Sequence, residues 1–230
     1  MIYFRGCVAR LKVKEIGDAT ETILNNAGVD FEYLDEEECC GSVLLRTGYG
    51  EDAQKLMEKN IKKFKNQTIL ASCGGCYRSL KMDYKEILGV ELDVIHTSQL
   101  FHELISQKKI KLKKSQDKIT YHDPCHLGRH LGEFEAPRNI IRNVGELVEM
   151  EHHHEKSRCC GSGGGVKSAY SDLSDKIARE KIKEIEKTGS DLITTSCPFC
   201  KLNLSNQGQE VWDLSEFILL FLEGVNHERK

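Results

Sequence analysis

Ten cysteines among 230 residues are the groups best suited to carry chemistry in this chain. They fall into two series of one form. The first is Cys7, the adjacent pair Cys39 and Cys40, then Cys73 and Cys76. The second is Cys125, the pair Cys159 and Cys160, then Cys197 and Cys200. Each reads C, a gap of 31 to 33 residues, CCG, a gap of 32 to 36 residues, then C-x-x-C. Corresponding cysteines stand 118, 120 and 124 residues apart, an offset that grows as small loop insertions would make it grow. Self-similarity at a fixed spacing signals duplication, so the spacing predicts two tandem halves, 1–114 and 115–230.

Thiolates at such spacing bind metal or do redox chemistry. A structural zinc takes four ligands, usually from two C-x₂₋₄-C knuckles. Each half offers one C-x-x-C, a vicinal pair whose side chains tend to diverge, and one thiol more than zinc accepts. An iron–sulfur cluster presents several irons and disperses thiolate charge over a larger volume, so neighbouring cysteines can bind neighbouring irons. Gly41 and Gly161, directly behind the pairs, can adopt positive φ and let the backbone approach inorganic sulfide. Other cluster geometries fit the same spacing. The stretch TTSCPFCK is similar to a thioredoxin site. Thioredoxin-like folds place a cis-proline after the motif, whereas Pro124, Pro137 and Pro198 all precede Cys200, and Cys125, Cys159 and Cys160 would be left unused.

The elements that must hold these cysteines are legible as alternating strands and helices. MIYF, QTILAS, KITYHDP and DLITTS are short β-branched or apolar runs, each just ahead of a cysteine group. EDAQKLMEKNIKKF, YRSLKMDYKEIL, PRNIIRNVG and SDLSDKIAREKIKEIEK have helical period, with Leu173, Ile177, Ile182 and Ile185 along one stripe of the last and Pro137 at a helix start. The expected fold class is α/β: two pseudo-symmetric halves with largely parallel sheets. The cysteines then lie at strand C-terminal ends, where such sheets collect ligands and where helix N-termini favour thiolates. EVWDLSEFI (with Trp212) repeats DVIHTSQLF, each read as a last strand, a helix start and a helix.

Composition narrows the class. Hydrophobic residues make up 39 % of the chain, enough for a core without disulfide staples. The net charge of −3 gives no footprint for nucleic acid. The N-terminus has no signal-peptide pattern and the apolar run FILLFL is too short to span a bilayer. A cytoplasmic protein is expected, associated with a membrane only through a partner. The acidic run Asp35–Glu38 and the basic run Lys108–Lys114 read as solvated faces, and the EHHHEK stretch as an exposed loop whose histidines point apart.

His122 and His126 bracket Cys125 and are candidates for delivering protons near neutral pH, or else for hydrogen bonding to a cluster. Arg129, Lys167 and Lys201, with Arg78 as a weaker fourth, follow cysteine motifs and are candidates for binding anionic substrate groups. Asp123 shapes the turn before Pro124.

Taken together, CCGSVLLRTGYG, SCGGCYR, TYHDPCHLGRH, CCGSGGGVK and SCPFCKLNL resemble the cysteine-rich (CCG) part of heterodisulfide reductase catalytic subunits, most of all those of the membrane-linked type. The same domain occurs in thiol:fumarate reductase and in iron–sulfur subunits oxidising glycolate, glycerol-3-phosphate and lactate. The resemblance covers essentially the whole chain and all ten cysteines. It implies that each CCG motif holds a non-cubane [4Fe–4S] cluster and that a coenzyme M–coenzyme B heterodisulfide sits between two such clusters. One electron would reach each sulfur, an iron would capture each thiolate, and protonation would release two thiols, a reaction of methanogenesis. Arg129, Lys167 and Lys201 would then meet sulfonate and phosphate. A zinc in the N-terminal half stays open. The longer family members carry a ferredoxin-like domain with C-x-x-C-x-x-C-x-x-x-C-P motifs, which this sequence lacks. Electrons are therefore expected from a ferredoxin-like subunit, with a flavin or membrane cytochrome subunit beyond it. The alternatives are an electron-transfer subunit of a hydroxy-acid dehydrogenase, in which no disulfide binds, and a metal-stabilised scaffold.

Overall fold

The computed structural model describes residues 1–34 and 36–225. Asp35, the first residue of the acidic run, and 226–230, the end of the second expected half, lie outside the described residues.

Strands β1 (Ile2–Phe4), β2 (Ile69–Ala71) and β3 (Val94–His96) form a parallel sheet in the order β1-β2-β3, with Ile2 opposite Ile69 and Ile69 opposite Val94. Strands β4 (Lys118–His122), β5 (Glu146–Leu147), β6 (Leu192–Thr195) and β7 (Val211–Asp213) form a second parallel sheet, ordered β5-β4-β6-β7. A parallel bridge between Ile2 and Glu32 gives the first half a counterpart of β5. Nearly every strand residue is buried, because helices cover both faces of such sheets. The fold is therefore α/β with two tandem halves, as the alternation of strand and helix predicts.

The halves exchange helices. Helix Leu214–Phe221 follows β7 and packs on helix Glu15–Asn26 of the first half, while helix Thr97–Ser106 follows β3 and packs on helix Glu135–Arg142 of the second. All eight residues of Leu214–Phe221 are buried, six of them apolar, with Ser215 and Glu216 in its capped first turn. His96 and Asp213 occupy equivalent N-caps, each closing a capping box with the residue three places on, Gln99 and Glu216. One hydrophobic cluster runs from Tyr3 and Ile23 through Phe101 to Tyr121, Ile140 and Phe217, so both halves share it. The segment after Thr97–Ser106 also crosses over: Lys113 N–H donates to the Phe221 carbonyl and Glu223 N–H to that of Lys111.

Several local expectations change. Leu173 is half exposed, and the buried face of helix Ser171–Glu186 runs through Ser174, Ala178, Lys181, Ile182 and Ile185 instead. Helix Glu135–Arg142 begins two residues before Pro137, which sits inside its first turn, where no intrahelical N–H is needed. The stretch after Cys76 is helical but contains a π-turn at Ser79–Asp83. Glu37, in the acidic run, is buried rather than solvated.

Candidate metal centre

Every cysteine group follows the C-terminal end of a strand or its edge loop. Cys7 opens helix Cys7–Leu11 just after β1, and Cys73 caps helix Gly74–Arg78 just after β2. In the second half Cys125 lies in the turn after β4, and Cys197 caps helix Pro198–Ser205 just after β6, with Pro198 in the first helical position. All ten cysteines are free thiols.

Within each half the five thiols form one chain of contacts. Cys7 Sγ lies 4.0 Å from Cys39 Sγ. Cys39 meets Cys40, Cys40 meets Cys76, and Cys76 meets Cys73. The second half repeats this as Cys125, Cys159, Cys160, Cys200 and Cys197. The role of the vicinal pair is then plain. Its outer member, Cys39 or Cys159, reaches the single cysteine, and its buried inner member, Cys40 or Cys160, reaches the C-x-x-C. The two chains join where Cys73 meets Cys197.

Glycine makes the adjacent pair feasible. Gly41 and Gly161 have φ of +84° and +86°. A Cβ at Gly161 would lie 2.7 Å from the Ser174 carbonyl oxygen, and one at Gly41 3.3 Å from that of Ala53. Each loop thus lies directly on the helix that follows it. The CCG segments also touch across the halves, since a Cβ at Gly165 would meet Thr47 Cγ2 at 2.5 Å.

The outer thiol of each pair is the one most readily ionised. Hydrogen bonds from Cys40 and Cys7, the Gly41 N–H and the nearby Arg10 pull Cys39 down to about 3. Cys125, Cys160, the Gly161 N–H and His122 act likewise on Cys159, bringing it to about 2. Cys7, Cys40, Cys125 and Cys160 are pushed up, Cys40 to about 12, by facing those thiolates and by burial, whereas hydrogen bonds from Cys200 and Cys73 hold Cys197 well below the usual thiol range.

A second layer fixes the loops. Ser79 Oγ donates to the Cys40 carbonyl at 3.3 Å, and its repeat counterpart Asn203 donates to that of Cys160 at 2.8 Å. Asn60 donates to the Cys39 carbonyl at 3.0 Å. In each half a buried carboxylate ties the single-cysteine loop to the pair loop. Glu37 accepts from Arg5 N–H at 3.0 Å and Gly6 N–H at 2.8 Å. Asp123 accepts from His154 N–H at 2.8 Å and from Arg138 at 2.7 and 2.9 Å. Arg138 is fully buried, also grips Glu149 at 2.7 Å, and lies over the Tyr121 ring. Sequence reading missed Glu37, Arg138, Ser79 and Asn203. The last two stand three residues after the final cysteine of each series, so aligning the repeats would have found them.

The candidate side chains scatter around this centre. His122 is buried; one of its ring nitrogens lies within 4.8 Å of ligand atoms of Cys160 and Cys200, and burial pushes its pKa down to about 4. Among the described residues neither nitrogen has a hydrogen-bond partner. His126 is half-buried where the halves meet, its Nδ1 3.5 Å from where a Cβ on Gly75 would lie, and near Cys197. His96, not anticipated, is buried at the same junction, with burial lowering its pKa to about 4 against the influence of Cys197. Arg129 donates to the Ser157 carbonyl at 2.6 Å, behind the second cysteine pair. Lys167 pairs with Asp175 at 2.5 Å, and Arg78 with Asp83 and His130. Lys201 departs from expectation: it is buried between Glu15 at 2.7 Å and Glu216 at 2.6 Å, and lines a groove that contains no cysteine. EHHHEK departs too, because the ring nitrogens of His153 and His154 converge. Beside Cys159 runs a groove lined by the apolar Leu173 and Ile177 and the charged Arg158, Lys176, Glu180 and Lys181, the last of them buried and paired with Glu184 at 2.7 Å. Among the described residues no helix is long and apolar enough to cross a membrane.

The comparisons agree with this arrangement. The family described as the cysteine-rich CCG domain matches residues 1–81 and 119–205. The chain is 42 % identical over 216 residues to a dihydromethanophenazine:CoB--CoM heterodisulfide reductase subunit of Methanosarcina acetivorans, covering 89 % of this chain and 53 % of the relative. It is 36 % identical to a fumarate reductase (CoM/CoB) subunit of Methanothermobacter marburgensis, covering 89 % and 41 %. It is 31 % identical to EtfAB:quinone oxidoreductase of Syntrophomonas wolfei, covering 96 % and 34 %. The chain thus spans about half or less of the length of these relatives. With both matched segments bearing a complete C, CCG and C-x-x-C series, it belongs to the cysteine-rich CCG domain family.

Proposed function

We propose that the chain is an iron–sulfur oxidoreductase subunit of the heterodisulfide reductase type. The observation that carries this reading is the pair of five-thiol chains, each bridged by its vicinal cysteines and joined at Cys73 and Cys197. The donor set suits the cofactor: five free thiols per half, with Cys39 in the first and Cys159 and Cys197 in the second readily ionised, and a positive-φ glycine behind each pair. Cys7, Cys39, Cys40, Cys73 and Cys76 would hold one [4Fe–4S] cluster of the non-cubane type, and Cys125, Cys159, Cys160, Cys197 and Cys200 the other, within halves 1–114 and 115–230. Zinc in the N-terminal half is the competing occupant there. The chemistry such clusters supply is one-electron transfer. Two electrons and two protons convert a mixed disulfide into two thiols.

The protein's own residues would do the rest. The groove beside Cys159 offers Leu173 and Ile177 to an aliphatic chain and Arg158 and Lys176, beside Glu180, to an anionic end, which would suit a coenzyme M–coenzyme B disulfide; Lys181 is buried and committed to Glu184. Arg129, held on the Ser157 carbonyl, and Lys167, paired with Asp175, would add positive charge for a substrate anion. His126, half-buried at the junction, would hand a proton to a departing thiolate, while buried His122 would hydrogen-bond to sulfur. Lys201 is committed to Glu15 and Glu216 and takes no part. Electrons would arrive from a ferredoxin-like subunit, with a flavin or membrane cytochrome subunit beyond it, in a cytoplasmic complex that reaches the membrane through that partner.

A second reading is an electron relay without disulfide binding, favoured by the similarity to an EtfAB:quinone oxidoreductase. EPR of the anaerobically prepared protein, titrated with the heterodisulfide, separates the two. A cluster signal that appears or shifts on addition, and is absent with an unrelated disulfide, supports reduction at the site. Iron-loaded protein with no response to the heterodisulfide supports the relay.

A further inference from the structure

A second donor cluster lies outside the cysteines. His153 Nδ1 and His154 Nδ1 are 2.5 Å apart. One ligand atom from each of these histidines and from Glu149 falls within 4.8 Å of the others. The second nitrogen of His154 is already assigned, because Nε2 lies 3.0 Å from Glu135 Oε1. A carboxylate there accepts Nε2–H, so Nδ1 carries the lone pair beside His153 Nδ1. A carboxylate behind a histidine in this way is the usual outer partner of a metal-bound imidazole. His154 also adopts φ of +54°, unusual for a residue with a side chain. Its N–H donates to Asp123 at the same time, so the backbone is held in the conformation that turns the ring inward.

We propose that Glu149, His153 and His154 form a site for a divalent cation of the Zn²⁺ class, held by nitrogen and oxygen alone. Two imidazoles and a carboxylate suit borderline ions such as Zn²⁺. With its proton on Nε2, His153 would offer Nδ1 to the ion. Tetrahedral ligands at 2.0–2.1 Å stand about 3.3 Å apart, so small rotations must part the two nitrogens and draw the carboxylate in. Both Glu149 oxygens accept from Arg138, and each keeps a second lone pair for the ion. An ion here would pin the loop between Glu149 and Cys159 to the Asp123–Arg138 pair behind Cys125. It would thus brace the second cysteine set without touching a thiol.

The test uses the whole chain, purified anaerobically with its native metal content. Zn²⁺ is titrated against a chromophoric chelator, and the zinc K-edge EXAFS of wild type is compared with that of His153→Ala. The proposal predicts one zinc whose shell, in the difference between the two, is nitrogen or oxygen at about 2.0 Å. Glu135→Gln should weaken that zinc roughly 10–100-fold, and His153→Ala at least as much. Iron and sulfide should not change in either variant, which separates this site from the cysteine reading. A difference shell of sulfur at about 2.3 Å, or equal zinc affinity in wild type and both variants, would overturn it.

Discussion

The thiols of Cys73 and Cys197 meet, although 124 residues separate them in the chain. Each caps the helix that carries the rest of its C-x-x-C. The first of these helices lies directly on the Cys125 turn of the second half, because Gly74 leaves room for Leu127: a Cβ there would sit 3.2 Å from the leucine side chain. The duplication therefore brings its two cysteine sets to a common junction, flanked by His96 and His126. A reaction needing two single-electron donors at one place requires such a junction.

The two CCG glycines should not tolerate substitution equally. Both have positive φ, which costs a side-chain-bearing residue of order 1 kcal/mol or more. Gly161→Ala also drives a Cβ to 2.7 Å from a backbone carbonyl, whereas Gly41→Ala stays at 3.3 Å. Thermal unfolding should show a drop in Tm for Gly161→Ala clearly larger than for Gly41→Ala. Iron loss in Gly161→Ala should be confined to the second half. Equal drops would mean that the helix Ser171–Glu186 can move away at no cost.

Lys201→Met should destabilise the fold without weakening substrate binding. The change leaves Glu216 buried without its cation, at a cost of about 3 kcal/mol. Urea unfolding should show that loss, with the KM for the heterodisulfide unchanged. Normal stability with a raised KM would return Lys201 to the substrate.

Asp213 makes stability depend on pH in an unusual direction. Burial and the neighbouring Glu216 raise its carboxyl from 3.8 to about 7, against the opposing pull of Lys201 and the Ser215 hydrogen bonds. Between those values the folded protein keeps a proton that the unfolded chain has lost. Stability therefore falls as pH rises from about 4 to about 7. Asp213→Asn keeps an oxygen for the Ser215 N–H, so the cap survives. Its denaturation midpoint should vary less over that window, and above pH 7 it should exceed wild type. Parallel profiles for the two proteins would contradict the assignment.

The repeat, the parallel strands and the cysteine positions were readable because each rests on a local pattern: β-branched runs, helical period and fixed Cys spacing. What escaped depends on contacts distant in sequence. Glu37 looked like part of a solvated acidic run, yet it caps the loop around Gly6. Lys201 looked like a cation beside a cysteine, yet Glu15 meets it from 186 residues away. Leu173 fitted a helical stripe, but the side that is buried was set by where the second pair loop lies on that helix. The histidines of EHHHEK would diverge in an extended loop; the positive φ at His154 turns them together. Backbone handedness of that kind at a non-glycine residue leaves no mark on a sequence pattern.

The most direct measurement is iron and acid-labile sulfide per chain in anaerobically prepared wild type, Cys40→Ser and Cys160→Ser. Two four-iron clusters predict about eight irons in wild type and about four in each variant, each losing the half whose inner pair cysteine is gone. Full iron in Cys160→Ser, or zinc without iron in wild type, would contradict the claim that both five-cysteine sets hold clusters.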